Sequence, residues 1–329
     1  MKLEEVFQKF SQMNFLVIGD LMVDCYIRGH IERVSVEAPI PIVKVSSQDY
    51  HLGGAGNVAL NLLALGAGST ICSVVGSDDD GRRLIHEIKE LGLPENGILQ
   101  SENRVSTVKT RVISGSQQVF RYDSEITDPI KAAEEKSLLE IIKTAMPNVE
   151  AVIFEDYDKG TITKNIISET IGEAKKHNKP VIVDPKIKNF LNYQGVTLFK
   201  PNLKEIREGL RIDLPHYDLQ SIIKATNEVK SRLNCEGVLA TLSARGIFID
   251  YKEEKHHIPS HVRTIADISG AGDTVVSVAA LALVAGLSPK SIAALANLGG
   301  GIACESVGVN PISKEQLFEE AQQYLGEDI

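Results

Sequence analysis

The sequence predicts an α/β fold: a three-layer sandwich in which helices cover both faces of a mostly parallel central sheet, with a small β lid added. Three observations predict it. Short apolar runs end, time after time, in polar or charged residues; stretches of helical period separate them; and two extended segments break that rhythm.

The first run, residues 15–18 (FLVI), leads into Gly19-Asp20 and is apolar on both faces, as a strand buried in a parallel sheet must be. Residues 26–46 (YIRGHIERVSVEAPIPIVKVS) form the first extended segment. Residues 58–65 then have helical period until Gly66 ends it, and residues 82–91 repeat the pattern. The second extended segment, 105–122, turns at Ser114-Gly115-Ser116. In its first half Val108 and Val112 alternate with Thr107, Lys109 and Arg111, so both cations share one face, and Arg121 returns on the second half. Segments 26–46 and 105–122 are read as a lid inserted into one domain spanning 1–329. The alternative is an ordinary antiparallel extension with a solvated charged face. Helices at 132–146 and 162–177 alternate with runs at 151–154, 181–183 and 197–199, which end in Glu155-Asp156, Asp184 and Lys200-Pro201-Asn202. In such sheets ligands bind beyond the carboxyl ends of the strands, where these polar residues collect.

Composition excludes several classes. Hydrophobic residues at 43% and charged ones at 24% describe a chain that packs a core rather than a disordered one. No apolar run reaches the length of a membrane span, and MKLEEVFQKF lacks the features of a signal peptide, so the cytoplasm is the expected compartment and no membrane partner is expected. Cys25, Cys72, Cys235 and Cys304 stand too far apart for a zinc motif. A net charge of −9 argues against nucleic acid as a partner, so any anion site is local.

Three glycine-rich stretches remain. Within HLGGAGNVA, residues 54–59 fit the dinucleotide pattern GxGxxA, yet the preceding SSQDY is polar where that motif needs a buried strand. Its glycines suit close approach of backbone to a small polar ligand, with Asn57 either pointing its amide at that ligand or capping the next helix. GSDDDGRR has the outer glycine spacing of a phosphate loop but lacks GK[ST], and its three acids would repel phosphate. The third stretch is DISGAGDTV, 267–275. Gly270, Ala271 and Gly272 expose backbone amides ahead of a helix expected at 275–284, an anion site. Asp273 there is either a helix cap or a base. Phosphoryl transfer to an alcohol gives it the second role: the amides hold the transferring group while the carboxylate takes the hydroxyl proton.

DISGAGDTV resembles the C-terminal signature of the ribokinase-like PfkB carbohydrate kinases, and LGGAGNVALNLLALG resembles their N-terminal glycine motif; the match runs in order along nearly the whole chain. IERVSVEAPIPIVKV, TVKTRV, QQVFRYD, EDYDKG, DPK and KPNLKE are similar to one branch, the kinases of D-glycero-β-D-manno-heptose 7-phosphate. In bacteria that kinase is also found fused to an adenylyltransferase carrying HxGH. With no HxGH here, the expectation is a kinase whose product a separate adenylyltransferase uses later, towards ADP-heptose and lipopolysaccharide core. The resemblance implies a ribokinase-like fold, ATP and Mg²⁺ with room for a monovalent cation, and a homodimer. It makes Asp273 the base and Gly270, Ala271 and Gly272 the anion hole. Asn202 and Glu205 become the NxxE pair that organises magnesium. Thr241, Ser243 and Gly246 fall on the nucleotide, Asn297 and Gly301 near adenine, and Lys186 and Lys159 near phosphate groups. Asp20, Asp24, Gly53, Gly54 and Asn57 fall on the sugar hydroxyls. The pattern is broken at Ser269 (usually Thr), at Glu155 (usually small), where added charge is expected, and at GVNPIS, 308–313.

The expected activity is ATP-dependent phosphorylation of heptose 7-phosphate at O1, with Lys109, Arg111 and Arg121 as the cations for the substrate's own phosphate. Its rivals are a kinase of this family for another sugar, a non-catalytic sugar- or nucleotide-binding regulator, and a dehydrogenase built on GAGNVA.

Overall fold

The structure, a computed structural model, describes residues 1–115, 117–213 and 218–329. The chain opens with α1 (Leu3–Phe10) and β1 (Asn14–Gly19), then sends out β2 (Leu21–Val34) and β3 (Pro41–Gly54). It returns through α2 (Ala55–Ala64), β4 (Gly68–Gly76), α3 (Asp79–Glu90) and β5 (Ile98–Ser101), and leaves again as the hairpin β6 (Thr107–Ser114) and β7 (Gln117–Ser124). Alternation resumes with α4 (Ala132–Ala145), β8 (Ala151–Glu155), α5 (Lys164–Lys176), β9 (Val181–Asp184), β10 (Leu198–Phe199), α6 (Leu203–Leu210) and α7 (Leu219–Leu233). The last part is β11 (Gly237–Thr241), β12 (Ile247–Tyr251), β13 (Glu254–Ile258), α8 (Ala271–Val284), α9 (Pro289–Ala303) and α10 (Lys314–Leu325).

Nine strands form the central sheet in the order β13-β12-β11-β10-β9-β8-β1-β4-β5, parallel except where β12 and β13 close it antiparallel. Successive side chains of each strand feed two separate cores. Phe15, Val17, Ile153, Ile182 and Leu198 pack with α1, α2, α8, α9 and α10, whereas Leu16, Ile18, Phe154, Val183 and Phe199 pack with α4 to α7. This is the ribokinase-like three-layer sandwich that the resemblance implies. Four strands form a second sheet, β3-β2-β6-β7.

Both glycine motifs start their helices earlier than periodicity suggests: α2 begins at Ala55 rather than 58, and α8 at Ala271 rather than 275. The N-caps are Gly54 (φ +58) and Gly270 (φ +76), left-handed conformations that glycine takes without strain, so the small residues after them form first turns rather than loop. In the second sheet, pairing runs from Leu21↔Gly54 out to Val34↔Pro41, so these strands extend past the expected 26–46 on both sides. Gly115 turns with φ +61 after β6, and Ser116 of the expected turn lies outside the described residues. The acids of GSDDDGRR have a local use: Asp78 caps α3 by accepting from the Gly81 amide at 2.8 Å. Among the described residues no helix is long and apolar enough to cross a membrane.

Candidate active site

Strand parity builds the floor of the site. Ile153, Ile182 and Leu198 face the α8 side, so two residues later Glu155, Asp184 and Lys200 face it too, at the carboxyl edge of three adjacent strands. Above them stands the first turn of α8 with Asp273. Carboxylate oxygens of Glu155, Asp184 and Asp273 lie within 4.8 Å of one another, all buried, and Lys200 bonds Asp184 at 2.8 Å. Burial opposes the Lys200 charge, but Asp184 and Glu205 outweigh it and raise its pKa.

Asp273 sits where two helix N-termini meet. Oδ2 accepts from Asn57 Nδ2 at 2.7 Å and Oδ1 from the Tyr157 hydroxyl at 2.8 Å. Asn57 is therefore not the cap of α2: Gly54 holds that place and Asn57 lies in the first turn, aimed at Asp273. Burial pushes the Asp273 pKa up to about 6, against the hydrogen bonds from Asn57 and Tyr157, which lower it. The Tyr157 hydroxyl, pushed well up by burial and then by Asp273, stays a donor. The carboxylate is thus ionised above pH ~6 and poised near neutrality, as a general base should be. Turnover is expected to fall as pH drops through that value. Tyr157→Phe removes a hydrogen bond that favours the ion, so the acid limb of kcat should move to higher pH; an unmoved limb in a pH–rate profile would detach Tyr157 from the base.

Glu155 does not add the charge expected of it. Both of its oxygens are buried without a partner, and burial, followed by Asp184 and Asp273, drives its pKa well above the usual range. Without a bound cation, burial and the two neighbouring acids outweigh Lys200 and Lys186 and favour a neutral Glu155 that carries its proton.

On the phosphate side, Gly272 and Asp273 lie in the first turn of α8, where the helix offers their amides no acceptor. A Cβ on Gly272 would come 3.5 Å from both Asp184 Oδ2 and Lys200 Nζ, so this turn opens onto the Lys200–Asp184 ion pair. Asp267 secures the loop before it, accepting from Ser269 N and Oγ (3.0 and 2.9 Å) and from Gly308 N at 3.0 Å; the Ser269 hydroxyl thus serves where Thr is usual. Asn202 and Glu205 hold each other in a capping box, with Glu205 N to Asn202 Oδ1 at 2.9 Å and Asn202 N to Glu205 Oε2 at 2.8 Å. The other oxygen of Glu205 takes Lys186 at 2.9 Å. Burial opposes the charge of Lys186, but Asp184 and Glu205 raise its pKa well above the usual lysine value. Thr241, across from Asn202, ends β11; Ser243 (φ +53) and Gly246 (φ +90) make the tight turn into β12. Asn297 donates to the Pro259 carbonyl at 2.9 Å, and Gly301 lies against Arg263.

On the sugar side the acids are less free than their hydroxyl-binding assignment implies. Asp20 accepts backbone amides of Tyr157, Lys159 and Thr161 (2.9, 3.0 and 3.1 Å), holding that loop under the site. Asp24, buried, is ion-paired with the partly buried Arg111 in the space that Gly53 leaves by lacking a Cβ; the Gly54 turn is tied back by Ala55 N to Asp20 O at 3.1 Å. Arg121 is held by Asp123 and Lys159 by Glu125 at 2.9 Å. Register places Asp24, Lys109, Arg111, Arg121 and Asp123 on one face of the second sheet. Lys109 differs from the other cations: it is buried over the Tyr157 ring at 4.3 Å, and no carboxylate among the described residues lies within ion-pair distance. Burial lowers its pKa, against the pull of Asp24.

Sequence reasoning did not assign Tyr157, Asp184 or Lys200 to the site. Each stands at or just past the carboxyl end of a buried strand, so strand-end position was the available signal.

A model of the pfkB family of carbohydrate kinases matches residues 13–316. The bifunctional protein HldE of Pelobacter propionicus is 36% identical over 317 residues, covering 96% of this chain and 64% of its own length. HldE of Mesorhizobium japonicum is also 36% identical, over 96% of this chain and 63% of its own. The chain thus spans just under two thirds of these curated relatives. Escherichia coli phosphofructokinase-2 in complex with potassium superposes with TM-score 0.78 at 18% identity, over 95% of this chain and 99% of that one. Arabidopsis thaliana ribokinase complexed with ribose and ATP does so with TM-score 0.72 at 16% identity, over 93% and 98%. The fold is the ribokinase-like one of these two solved kinases. The chain belongs to the pfkB family of carbohydrate kinases.

Proposed function

We propose that the protein transfers the γ-phosphoryl group of ATP to a hydroxyl of a sugar that already bears a phosphate, heptose 7-phosphate at O1 being the first candidate. The observation that carries the chemistry is the ionisable, buried Asp273 in the first turn of α8. The sugar oxygen attacks the γ-phosphorus, the bond to the bridging β,γ-oxygen breaks, ADP leaves, and the hydroxyl proton passes to Asp273. The α8 amides, Lys200 and Lys186 face the developing charge. Mg²⁺ would fit the hard oxygen donors of Asp184 and of a Glu155 that gives up its proton to the cation, with the Asn202–Glu205 pair holding Lys186 beside them. Bound there it would neutralise charge on the ATP phosphates. A monovalent cation is a further candidate, given the potassium bound to phosphofructokinase-2.

Specificity for a phosphorylated sugar is supported by Lys109, a buried cation without a carboxylate on the sheet that faces the base. Similarity to the bifunctional HldE proteins agrees with the heptose-kinase branch that the sequence motifs resemble. The exposed apolar side chains of the second sheet, Val34, Val45, Phe120 and Tyr122, and of the loop joining β2 to β3, Val36 and Ile40, suit a second copy of the chain, which sedimentation would detect. ATP turnover against a panel of free and phosphorylated heptoses and hexoses tests the function. Turnover of heptose 7-phosphate above all others is expected; no turnover of any sugar would overturn the kinase reading.

A further inference from the structure

Three consecutive glycines in α9 each meet a different neighbour. A Cβ on Gly299 would stand 2.9 Å from Val278 Cγ2, and one on Gly300 2.6 Å from Val275 Cγ2, so these two let α8 and α9 pack closely. Gly301 answers to something else. A Cβ there would fall 2.5 Å from Arg263 Nε and 3.0 Å from its Cδ, so the arginine lies across the bare backbone of α9.

Arg263 belongs to residues 259–270, which have no helix or strand and run straight into the first turn of α8. Their own apolar side chains give them little hold: Val262, Ile265 and Ile268 are 104%, 60% and 72% exposed. Polar ties do the holding. Asn297 takes the Pro259 carbonyl at 2.9 Å, and Cys304 O accepts from Ala266 N at 2.8 Å. Between them the Arg263 guanidinium, its side chain only 10% exposed, bonds Glu305 at 2.8 Å through Nη1 and Glu320 of α10 through both Nη1 and Nη2. Two carboxylates on one guanidinium make a charge-assisted, geometrically fixed contact.

We infer that Arg263, clamped by Glu305 and Glu320, is a positioning residue for the nucleotide: it sets segment 259–268 before ATP arrives and acts through that segment rather than by touching phosphate. This rests on the kinase reading and on Asn297 and Gly301 marking the base side. Those two residues then act indirectly, one tying the start of the segment and the other leaving room for its clamp. The exposed Val262, Ile265 and Ile268 leave the segment apolar side chains for a purine to cover.

Without the clamp, ATP must order the segment itself. Fixing even one or two backbone residues costs about 1–2 kcal/mol each, or roughly a 10-fold loss of affinity or more. In Arg263→Gln the Kd of ATP, measured by calorimetry without sugar, and the KM for ATP should both rise about 10-fold or more, while kcat at saturating ATP and the KM for sugar change less than about twofold. Gly301→Ala should reproduce the effect by displacing the arginine, and Arg263→Lys should recover part of it. Unchanged ATP affinity in Arg263→Gln, or parallel losses for ATP and sugar accompanied by a fall in Tm, would overturn the clamp. Failure of the unaltered protein to bind ATP would overturn the kinase reading and this inference with it.

Discussion

Asp273→Asn should lower kcat by roughly 10²- to 10⁴-fold, the usual contribution of a positioned general base, and leave ATP affinity close to normal. The isosteric amide keeps the packing. Its carbonyl can still accept from Asn57, and its NH₂ can donate to Tyr157, whose hydroxyl rotates to accept. Lost is the basic oxygen. Because burial raises the carboxyl pKa, the ionised form is a burden on the fold at neutral pH, and replacing it with a neutral amide should not lower Tm. A damaged enzyme that is no less stable would separate a chemical role from a structural one. Near-normal single-turnover rates in a folded Asn variant would remove Asp273 from the mechanism.

The parts of the site legible in sequence are those whose chemistry is local. DISGAGDTV announces itself because unpaired amides, a helix dipole and a carboxylate lie within one turn. Strand-end acids could be listed, but which of them share a face depends on parity and register across several strands, and this is what joins Glu155, Asp184 and Lys200. The partners of the base were out of reach, since Asn57 and Tyr157 are 216 and 116 residues from Asp273 in sequence. Charges misled in a related way. Alternation does put Lys109 and Arg111 on one face, yet no local pattern tells that Asp24 already holds Arg111 and Asp123 already holds Arg121. For Glu155, sequence registered an extra charge where burial among like charges favours a neutral acid.

The same pairing decides how to test recognition of a phosphorylated substrate. Arg111→Ala is a poor probe, because it would strand a buried Asp24 and cost about 3–5 kcal/mol of stability. Lys109 is the clean one. Its ammonium is buried, its pKa is lowered chiefly by that burial, and it has no ion-pair partner among the described residues, so a bound phosphate would supply the missing counter-charge. Lys109→Met keeps most of the volume over the Tyr157 ring and removes only the charge. Hydrogen bonds to charged groups are worth about 1.5–3 kcal/mol, so kcat/KM for heptose 7-phosphate should fall roughly 10- to 150-fold. The unphosphorylated heptose, expected to be a poor substrate to begin with, should lose little, and the KM for ATP should not move. The ratio of kcat/KM between the two sugars therefore collapses in the variant. A ratio unchanged from the unaltered protein would place the distal phosphate elsewhere, and an equal kcat/KM for both sugars in the unaltered protein would move the assignment to a free-sugar kinase of the same family.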